Sequence, residues 1–265
     1  MKETRELAAE RTDHIRELLK EQRVVSVATL CRKTGASAAT IRRDLVDMES
    51  RGLLQRVHGG AVSAISRLDE PLFADKTHLA SEEKQAIAAA ALQHVRPNHT
   101  LFLDGGSTVL LLSRLLEDRN DITVVTNSLG VATNLCGRGP RLILTGGELR
   151  RRSQTLVGSL SEPLLNHLHV DCAFMGTIGL SIKDGLTTTD PREAQTKSLV
   201  FAHAQKIIML ADSSKFGKTS FVRFGELKAL NTIITDNDAS AAMLAPFRKM
   251  GISIEKATTR NKQKK

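Results

Sequence analysis

Residues 24–60 read VVSVATLCRKTGASAATIRRDLVDMESRGLLQRVHGG, and this stretch decides the fold of the first part of the chain. Apolar residues recur at helical spacing on both sides of a short turn, which predicts two amphipathic helices. The predicted buried faces consist of Val27, Leu30, Cys31, Ile41, Leu45 and Met48. Ser26 and Ser37 suit helix N-caps, and Gly35 suits the left-handed residue that ends a helix. Two short helices in this order predict a helix-turn-helix.

The second of these helices is basic on its outward side, which indicates contact with DNA. A wheel of about 100° per residue puts Arg43 nearly opposite the buried face, where it suits guanine in the major groove. Arg42 lies at the side of the helix and suits a phosphate contact. A Gly-rich hairpin signal at 54–62 completes a winged helix-turn-helix. The candidate DNA-binding residues are Ser37, Ala39, Thr40, Arg42, Arg43, Arg56 and His58.

Three motifs in this region resemble the DeoR family of bacterial transcriptional regulators: TIRRDL at 40–45, LLQR at 53–56 and HGGA at 58–61. The family usually places a hydrophobic residue and a serine before the first motif. This chain has Ala36 and Ser37 there, so we expect a smaller side chain to pack in the turn. The resemblance implies that double-stranded operator DNA is a partner. The residue pattern by itself leaves open a helical hairpin with a solvated basic face.

The bulk composition limits the class of protein. The 265-residue chain carries a net charge of +9, which fits a polyanionic partner without identifying one. Its three cysteines, Cys31, Cys136 and Cys172, show no metal-ligand spacing, so we expect reduced thiols, no metal, no cofactor and a cytoplasmic location. The highly charged first 23 residues argue against a signal peptide. No apolar run reaches the roughly 18 residues of a membrane span.

From Ser81 the pattern changes to alternating helices and strands, which predicts a mainly parallel α/β sheet covered on both faces. The predicted strands are 100–103, 122–126, 141–144, 172–175, 206–210, 232–235 and 252–254. The expected domains are a winged helix-turn-helix at 1–62, a linker at 63–80, an α/β domain at 81–257 and a basic tail at 258–265. The linker prediction depends on the absence of clear periodicity in that segment.

Four predicted strand ends are small, polar and in part Gly-rich, and ligands of parallel sheets bind beyond the carboxyl ends of strands. These ends read DGGST at 104–108, TNS at 126–128, TGGE at 145–148 and ADSSK at 211–215. The first is the best anion-site candidate, because two glycines let the backbone approach a ligand and Ser107 begins a helix. Lys215 supplies charge at a neighbouring strand end. An ordinary capped turn is the alternative, and we expect the arginines at 150–152 in a solvated loop.

The resemblance extends through these motifs, and through GLTT at 185–188, to about Asn237. They look like the effector-binding domain of DeoR-type repressors, which is similar to ribose-5-phosphate isomerase and binds phosphorylated sugars or related metabolites. The resemblance implies that Gly106, Ser107 and Thr108 hold the phosphate. It implies an effector site composed of Asp104, Gly105, Gly106, Ser107, Thr108, Asn127, Gly146, Gly147, Asp171, Glu193 and Lys215.

The residue patterns and the resemblance together favour a repressor of sugar-metabolism genes that responds to a phosphorylated sugar or related metabolite, and the resemblance implies a homo-oligomer. The rival interpretation is a phosphosugar isomerase fused to a DNA-binding module, with Asp171, Glu193 and Lys197 as acid–base candidates. Against it, the acid-rich Asp-Gly-Ala-Asp motif of the isomerases is absent, and apolar residues surround Asp171 at 170–174. A third interpretation is a DNA-binding protein whose α/β domain serves only assembly.

Overall fold

The computed structural model describes residues 8–22, 24–50, 53–57, 59–63 and 70–258. Contacts divide the chain into two compact units, Met1–Ser66 and Arg67–Lys265. The described residues of the first unit form three helices and three strands, which are α1 (Ala8–Gln22), β1 (Val24–Ser26), α2 (Val27–Thr34), α3 (Ala38–Ser50), β2 (Leu54–Val57) and β3 (Gly60–Ser63). This is the predicted winged helix-turn-helix, with a first helix that precedes the pair.

The predicted caps of the first unit are confirmed, and so is the burial of Leu30, Ile41, Leu45 and Met48, whereas Val27 and Cys31 are only partly buried against that core. Ser26 Oγ accepts from the Thr29 N–H, and Gly35 adopts φ 67° at the end of α2. Ser37 Oγ accepts from the Thr40 N–H at the start of α3. The core comprises Ile15, Leu18, Leu19, Val25, Leu30, Ala36, Ile41, Leu45, Met48, Leu54 and Ala61. Ala36, the smaller residue in the turn, is one of these buried side chains.

The wing is a three-stranded antiparallel sheet in the order β1-β3-β2. Its turn contains Gly59 at φ 85°, a conformation that glycine adopts without steric cost. A Cβ at Gly60 would lie 2.3 Å from the Val25 carbonyl oxygen, so the two strands approach too closely for a side chain there. His58, predicted to reach DNA from this wing, lies outside the described residues.

The second unit is built on a seven-stranded parallel sheet in the order β15-β14-β12-β9-β4-β5-β6. Its strands are β4 (Thr100–Leu103), β5 (Thr123–Thr126), β6 (Arg141–Leu144), β9 (Val170–Met175), β12 (Ala204–Leu210), β14 (Thr232–Asp236) and β15 (Ser253–Ala257). Each corresponds to one predicted run, so the predicted α/β sheet is confirmed. Apolar cores cover both faces.

The order of the strands creates a switch point between β4 and β9. From β4 the chain adds β5 and β6 on one side, and it then returns to add β9, β12, β14 and β15 on the other. The connecting helices are α5 (Ser81–Ala91), α6 (Ser107–Arg114), α7 (Leu129–Leu135), α8 (Glu162–Leu165), α9 (Pro191–His203) and α10 (Ala241–Lys249). A crevice forms at the carboxyl ends of strands where connections diverge in this way.

Two small antiparallel sheets are additions that the sequence did not predict. One pairs β7 (Glu148–Arg150) with β8 (Thr155–Val157) in a hairpin, called here the cover hairpin. The other joins β10 (Gly179–Ser181), β11 (Gly185–Thr188) and β13 (Val222–Gly225). Strands of three or four residues are too short to show an alternating pattern.

The predicted linker differs from the structure in its second half. Residues from 70 onwards pack into the second unit, where Glu70 and Phe73 are buried and α4 (Phe73–His78) forms a helix. Six helical residues give too few turns for a periodic signal, which explains why the sequence indicated a connector. Most of the predicted basic tail lies outside the described residues. Within the described ranges, no helix is long and apolar enough to span a membrane.

Candidate DNA-binding and effector sites

The outward face of α3 presents the predicted DNA-reading residues to solvent. Arg42, Arg43 and Ala39 are exposed, and Thr40 is half-buried because its hydroxyl lies 2.9 Å from that of Ser37. Within the described part of the chain, neither arginine forms an ion pair. Small residues at the start of the helix and long cations in its middle form a surface suited to entering a major groove.

Two ion pairs brace the first unit behind this surface. Arg11 of α1 donates two hydrogen bonds, of 2.6 and 3.1 Å, to Asp44 of α3, which fixes α1 against α3. Arg56 on β2 binds Glu49 with 2.9 Å between Nε and Oε2, and its N–H donates to the same carboxylate. The predicted wing contact, Arg56, is therefore exposed but already paired within the protein.

The turn at 104–108 leaves β4 directly beside the switch point. Its helix α6 begins at Ser107 without a side-chain cap, which leaves its first N–H groups free of that kind of partner. A Cβ at Gly106 would meet no described atom within 4 Å, so the backbone there borders open space. Ser107 and Thr108 are 8% and 7% exposed and place hydroxyls beside the same amides. Uncapped amides at a helix start are a binding site for a small anion.

The cover hairpin closes over this turn and over the end of β5. A Cβ at Gly105 would lie 1.9 Å from Cγ2 of Thr155, so the first residue of β8 packs directly on that glycine. The Leu156 N–H donates to the Asn127 carbonyl at 2.7 Å. Gly147, at φ 119°, lies so close to Val157 that a side chain there would meet its carbonyl oxygen at 2.7 Å. The predicted glycines therefore let the hairpin approach the strand ends.

Buried acceptors line the same crevice. Asp104 and Asn127 are each 1% exposed, and the Oδ1 atom of each lacks a hydrogen-bond partner among the described residues. Asp104 Oδ2 accepts from the Gly176 N–H at 2.9 Å and forms an ion pair with Lys197. Burial raises the pKa of Asp104, and the Lys197 ammonium opposes that rise. Unpartnered oxygens in a polar crevice suit hydroxyl donors of a ligand.

A group of lysines lies farther along the same edge of the sheet. Lys215 follows β12, two strands from β4, which at usual strand spacing is about 10 Å from the turn. Lys84 of α5 donates to the carbonyls of Lys76 and Leu79 at 2.5 and 2.6 Å. Burial lowers the pKa of Lys84 to about 8; Asp212 opposes the shift, and Lys215 and Lys76 add to it. Lys84 and Lys215 thus add positive charge to the edge of the sheet at which the turn lies.

Glu193 is buried at the start of α9, but in this structure protein groups already occupy its carboxylate. It accepts from Thr188 Oγ1 at 2.7 Å and from Thr155 Oγ1 at 3.2 Å, and it lies 3.5 Å from Arg150 Nη1. Only 10% of the Arg150 side chain is exposed, which corrects the expectation of a solvated loop for that residue. Glu193 therefore holds the cover hairpin rather than an open binding surface.

Asp171 was assigned wrongly to the effector site. It is the second residue of β9 and accepts from the Thr100 N–H at 2.7 Å, at the first residue of β4. All strands of this sheet run the same way, so Asp171 lies at the amino edge, roughly 13 Å from the carboxyl ends at about 3.3 Å per residue. The same geometry removes it from the acid–base set proposed for an isomerase.

Several residues of the crevice were not predicted from the sequence. Lys84 had an available signal, since a helix that precedes a parallel strand begins at the carboxyl edge of the sheet. Lys197 was considered only as an acid–base group. Thr155, Gly176 and Glu70 carried no signal, because their positions depend on strand order and on the unpredicted hairpin.

An exposed reading helix on a winged unit, followed by a parallel α/β unit with a crevice at its switch point, defines a DNA-binding regulator with a separate sensor domain. Residues 11–67 match the DeoR-like helix-turn-helix domain, and residues 79–237 match the DeoR C terminal sensor domain. The chain belongs to the DeoR family of transcriptional regulators, as its motifs predicted.

Curated relatives align over nearly their full length. The HTH-type transcriptional regulator GlpR of Haloferax volcanii is 37% identical over 94% of this chain and 97% of its own. The putative aga operon transcriptional repressor of Escherichia coli O157:H7 is 33% identical over 93% of each chain. The glycerol-3-phosphate regulon repressor of Escherichia coli K12 is 30% identical over 93% of this chain and 98% of its own.

Solved structures show more distant similarity. Ribose 5-phosphate isomerase A of Methanocaldococcus jannaschii aligns with 50% of this chain and 52% of its own at 21% identity and a TM-score of 0.37. RipA of Yersinia pestis aligns with 68% of this chain and 52% of its own at 12% identity and a TM-score of 0.41.

Proposed function

We propose that this regulator represses sugar-metabolism genes and that a phosphorylated sugar or related metabolite, bound at the turn 104–108, releases it from double-stranded operator DNA. The observation that carries the proposal is the uncapped start of α6 beside Gly106, where the backbone borders open space at the switch point. Backbone N–H groups and the helix dipole there favour a phosphate. Lys215 and Lys84 on the same edge add positive charge.

Names of relatives support the metabolic assignment. They include a glycerol-3-phosphate regulon repressor, a putative aga operon repressor and a lactose phosphotransferase system repressor of Staphylococcus epidermidis, 34% identical to this chain. The buried acceptors on Asp104 and Asn127, which lack a partner among the described residues, fit hydroxyl groups of the molecule that carries the phosphate. These features together favour a phosphorylated polyol or sugar over a free inorganic anion.

Calorimetry with paired ligands tests the site. The protein is titrated with glycerol 3-phosphate, hexose 6-phosphates and inorganic phosphate, and separately with glycerol and the hexoses. At least one phosphate ester is expected to bind far more tightly than the same compound without its phosphate. Gly106→Ala should weaken that binding about tenfold, roughly 1.4 kcal/mol, because the new methyl enters the ligand's space. The fold tolerates the change, since φ of 175° suits any residue and the Cβ meets no described atom.

Gly130→Ala is the matched control, because its Cβ would make only ordinary contacts of 3.5 Å or more in α7. It should leave ligand affinity unchanged. Equal affinity for the phosphorylated and unphosphorylated compounds, or unchanged affinity in Gly106→Ala, would refute the anion site.

We infer that the protein senses this ligand without converting it. Isomerisation needs a base beside a group that stabilises the enediolate. Asp171 lies at the opposite edge of the sheet, and Glu193 is held by Thr155 and Thr188. The check is NMR, in deuterated water with the protein, of the tightest-binding phosphate ester that carries a carbonyl group. Exchange at the carbon beside the carbonyl, lost in Glu193→Gln, would favour the enzyme.

We further infer a homo-oligomer, because paired reading helices recognise repeated or palindromic half-sites. Light scattering on the free protein and on its complex with a duplex selected from a random library measures the number of chains. A single chain bound per duplex would refute this inference.

A further inference from the structure

A buried cluster of charges anchors Glu70, the first described residue of the second unit. Glu70 is 1% exposed, and its Oε2 atom accepts from Arg150 Nη2 at 2.7 Å and from Thr189 Oγ1 at 2.5 Å. Lys76 binds the other carboxylate oxygen, and Arg152 binds the Glu70 carbonyl. Two of the three consecutive arginines therefore converge on one residue of the segment that connects the winged unit to the sensor domain.

The same arginines lie on the cover hairpin, which packs on the candidate effector site. Arg150 ends β7 and Thr155 begins β8, where its methyl group fills the space above Gly105. Glu193 joins the two strands of the hairpin beside its turn, since it accepts from Thr155 and lies 3.5 Å from Arg150. Contacts thus run from the turn beside the anion site, through the Thr155 methyl group, to the polar groups of Glu193, Arg150 and Glu70.

A ligand at the turn has to meet this hairpin. Thr155 lies against Gly105, and the Asn127 amide donates to the Leu156 carbonyl at 3.5 Å, so a sugar next to the phosphate touches β8 first. Separating Glu70 from Arg150 would leave both charges buried and incompletely paired, which is strongly unfavourable. A shift of the hairpin therefore displaces the Glu70 segment with it instead of breaking the pair.

We propose that the Glu70–Arg150 ion pair is the connection through which ligand binding at the turn 104–108 changes the affinity of the winged unit for DNA. The proposal rests on the proposed function, because it needs an effector at that turn. Glu70 and Arg150 act here as positioning residues that touch neither ligand nor DNA. Regulation then requires the ligand to favour one position of the hairpin over the other.

The test measures coupling and not affinity alone. Full-length protein binds a duplex selected from a random library, with and without a saturating concentration of the phosphate ester that binds most tightly in the panel above. The ratio of the two dissociation constants is the coupling, and by linkage the same factor must appear in ligand affinity with and without DNA. Glu70→Gln keeps the shape of the side chain and removes its charge, so Arg150 remains compensated by Asp190 and Glu193.

Glu148→Gln is the matched control. It removes a carboxylate from the same hairpin, where Glu148 pairs with Arg192 near the start of α9, but both partners are exposed and neither reaches Glu70. Thr189→Val is a second, uncharged test, because it removes only one donor to Glu70. If Glu70→Gln folds poorly, Thr189→Val still tests whether the contacts of Glu70 carry the coupling.

In the wild type and in Glu148→Gln we expect the ester to weaken DNA binding at least tenfold. In Glu70→Gln the ratio should fall to within about twofold of unity, while each separate dissociation constant changes less than threefold, and Thr189→Val should give an intermediate ratio. Wild-type coupling in Glu70→Gln and Thr189→Val would overturn the inference alone. A wild type that binds the duplex but no phosphate ester would overturn the proposed function and this inference with it.

Discussion

Helix α3, the reading helix, and the crevice at the switch point of the sheet use their charged side chains in opposite ways. Arg42 and Arg43 extend from α3 into solvent, and in the described part of the chain neither has an ion-pair partner. Glu70, by contrast, is buried, only 10% of the Arg150 side chain is exposed, and both are bound on several sides. Arg42 and Arg43 are therefore available to a partner outside the chain, whereas the partners of Arg150 lie within the fold.

Because of this difference, substitutions in the two regions are expected to change different free energies, that of DNA binding for α3 and that of unfolding for the sensor domain. Losing an exposed arginine changes contacts with DNA and leaves the free protein almost unaffected. Losing one member of a buried ion pair leaves its partners with less compensation for their charge, so it changes the stability of the sensor domain itself. The comparison therefore predicts that variants of the two regions fail in different assays.

The largest expected effect is on stability in Glu70→Gln. Burial alone would raise the pKa of Glu70, but Lys76, Arg150 and Thr189 together hold it at about 2, below its ordinary value of 4.5. Because the folded pKa is the lower one, the carboxylate stabilises the fold above pH 4.5 and loses that effect as the pH falls towards 2. The shift corresponds to about 3 kcal/mol near pH 7.

The measurement is urea unfolding followed by circular dichroism, since the chain has no Trp or Tyr. The difference in unfolding free energy between wild type and Glu70→Gln should be constant above pH 5 and shrink below pH 4. Glu148→Gln, whose carboxylate is 68% exposed, should cost less than about 0.5 kcal/mol. A difference for Glu70→Gln that does not depend on pH would contradict the assigned charge pairing.

For the reading helix we expect an effect on binding alone. Arg43→Ala should cost about 1–3 kcal/mol of affinity for the selected duplex and relax its base preference, because it removes a base-edge contact. Arg42→Ala should weaken binding to all sequences and reduce the slope of log K against log salt by about 1. Fluorescence anisotropy at several salt concentrations checks both, with unfolding curves as the control. Unchanged selectivity in Arg43→Ala would refute the groove assignment.

Proton uptake tests whether Lys84 faces the effector. Its pKa of about 8 means that, at pH 8, roughly half the molecules carry a neutral amine there. A bound phosphate dianion favours the ammonium, so binding should take up as much as about half a proton at pH 8, and affinity should fall as the pH rises from 7 to 9. The phosphate itself, with a second pKa near 6, is already ionised there and contributes little.

Calorimetry in two buffers of different ionisation enthalpy gives the number of protons. Lys84→Met should abolish the uptake, and Lys249→Met, on the exposed end of α10, should preserve it. Binding of a phosphate ester without proton uptake in the wild type would place Lys84 outside the effector's reach.

The contrast between the two regions also explains which features the sequence could predict. The reading helix follows from local periodicity, so Ile41 and Arg43 were placed correctly on opposite faces. The seven sheet strands were likewise found as apolar runs. Asp171 was misplaced because the edge of the sheet at which a residue lies depends on where in its strand it stands. The pairing of Glu70 with Arg150 spans 80 positions and a hairpin without a pattern, which no local signal encodes.

The smallest expected effect belongs to the wing, where an exposed cation is nevertheless paired. Arg56 and Glu49 are 45% and 38% exposed, so their bond is worth little and competes with a DNA phosphate. Arg56→Ala should weaken binding by less than about 1 kcal/mol for all duplexes. Glu49→Gln should tighten binding a few-fold, because it frees Arg56 and removes a negative charge near the phosphates. In the Arg56→Ala background the gain from Glu49→Gln should shrink to the part due to that charge alone. If the gain is as large without Arg56 as with it, the wing arginine does not contact DNA, and recognition is confined to α3.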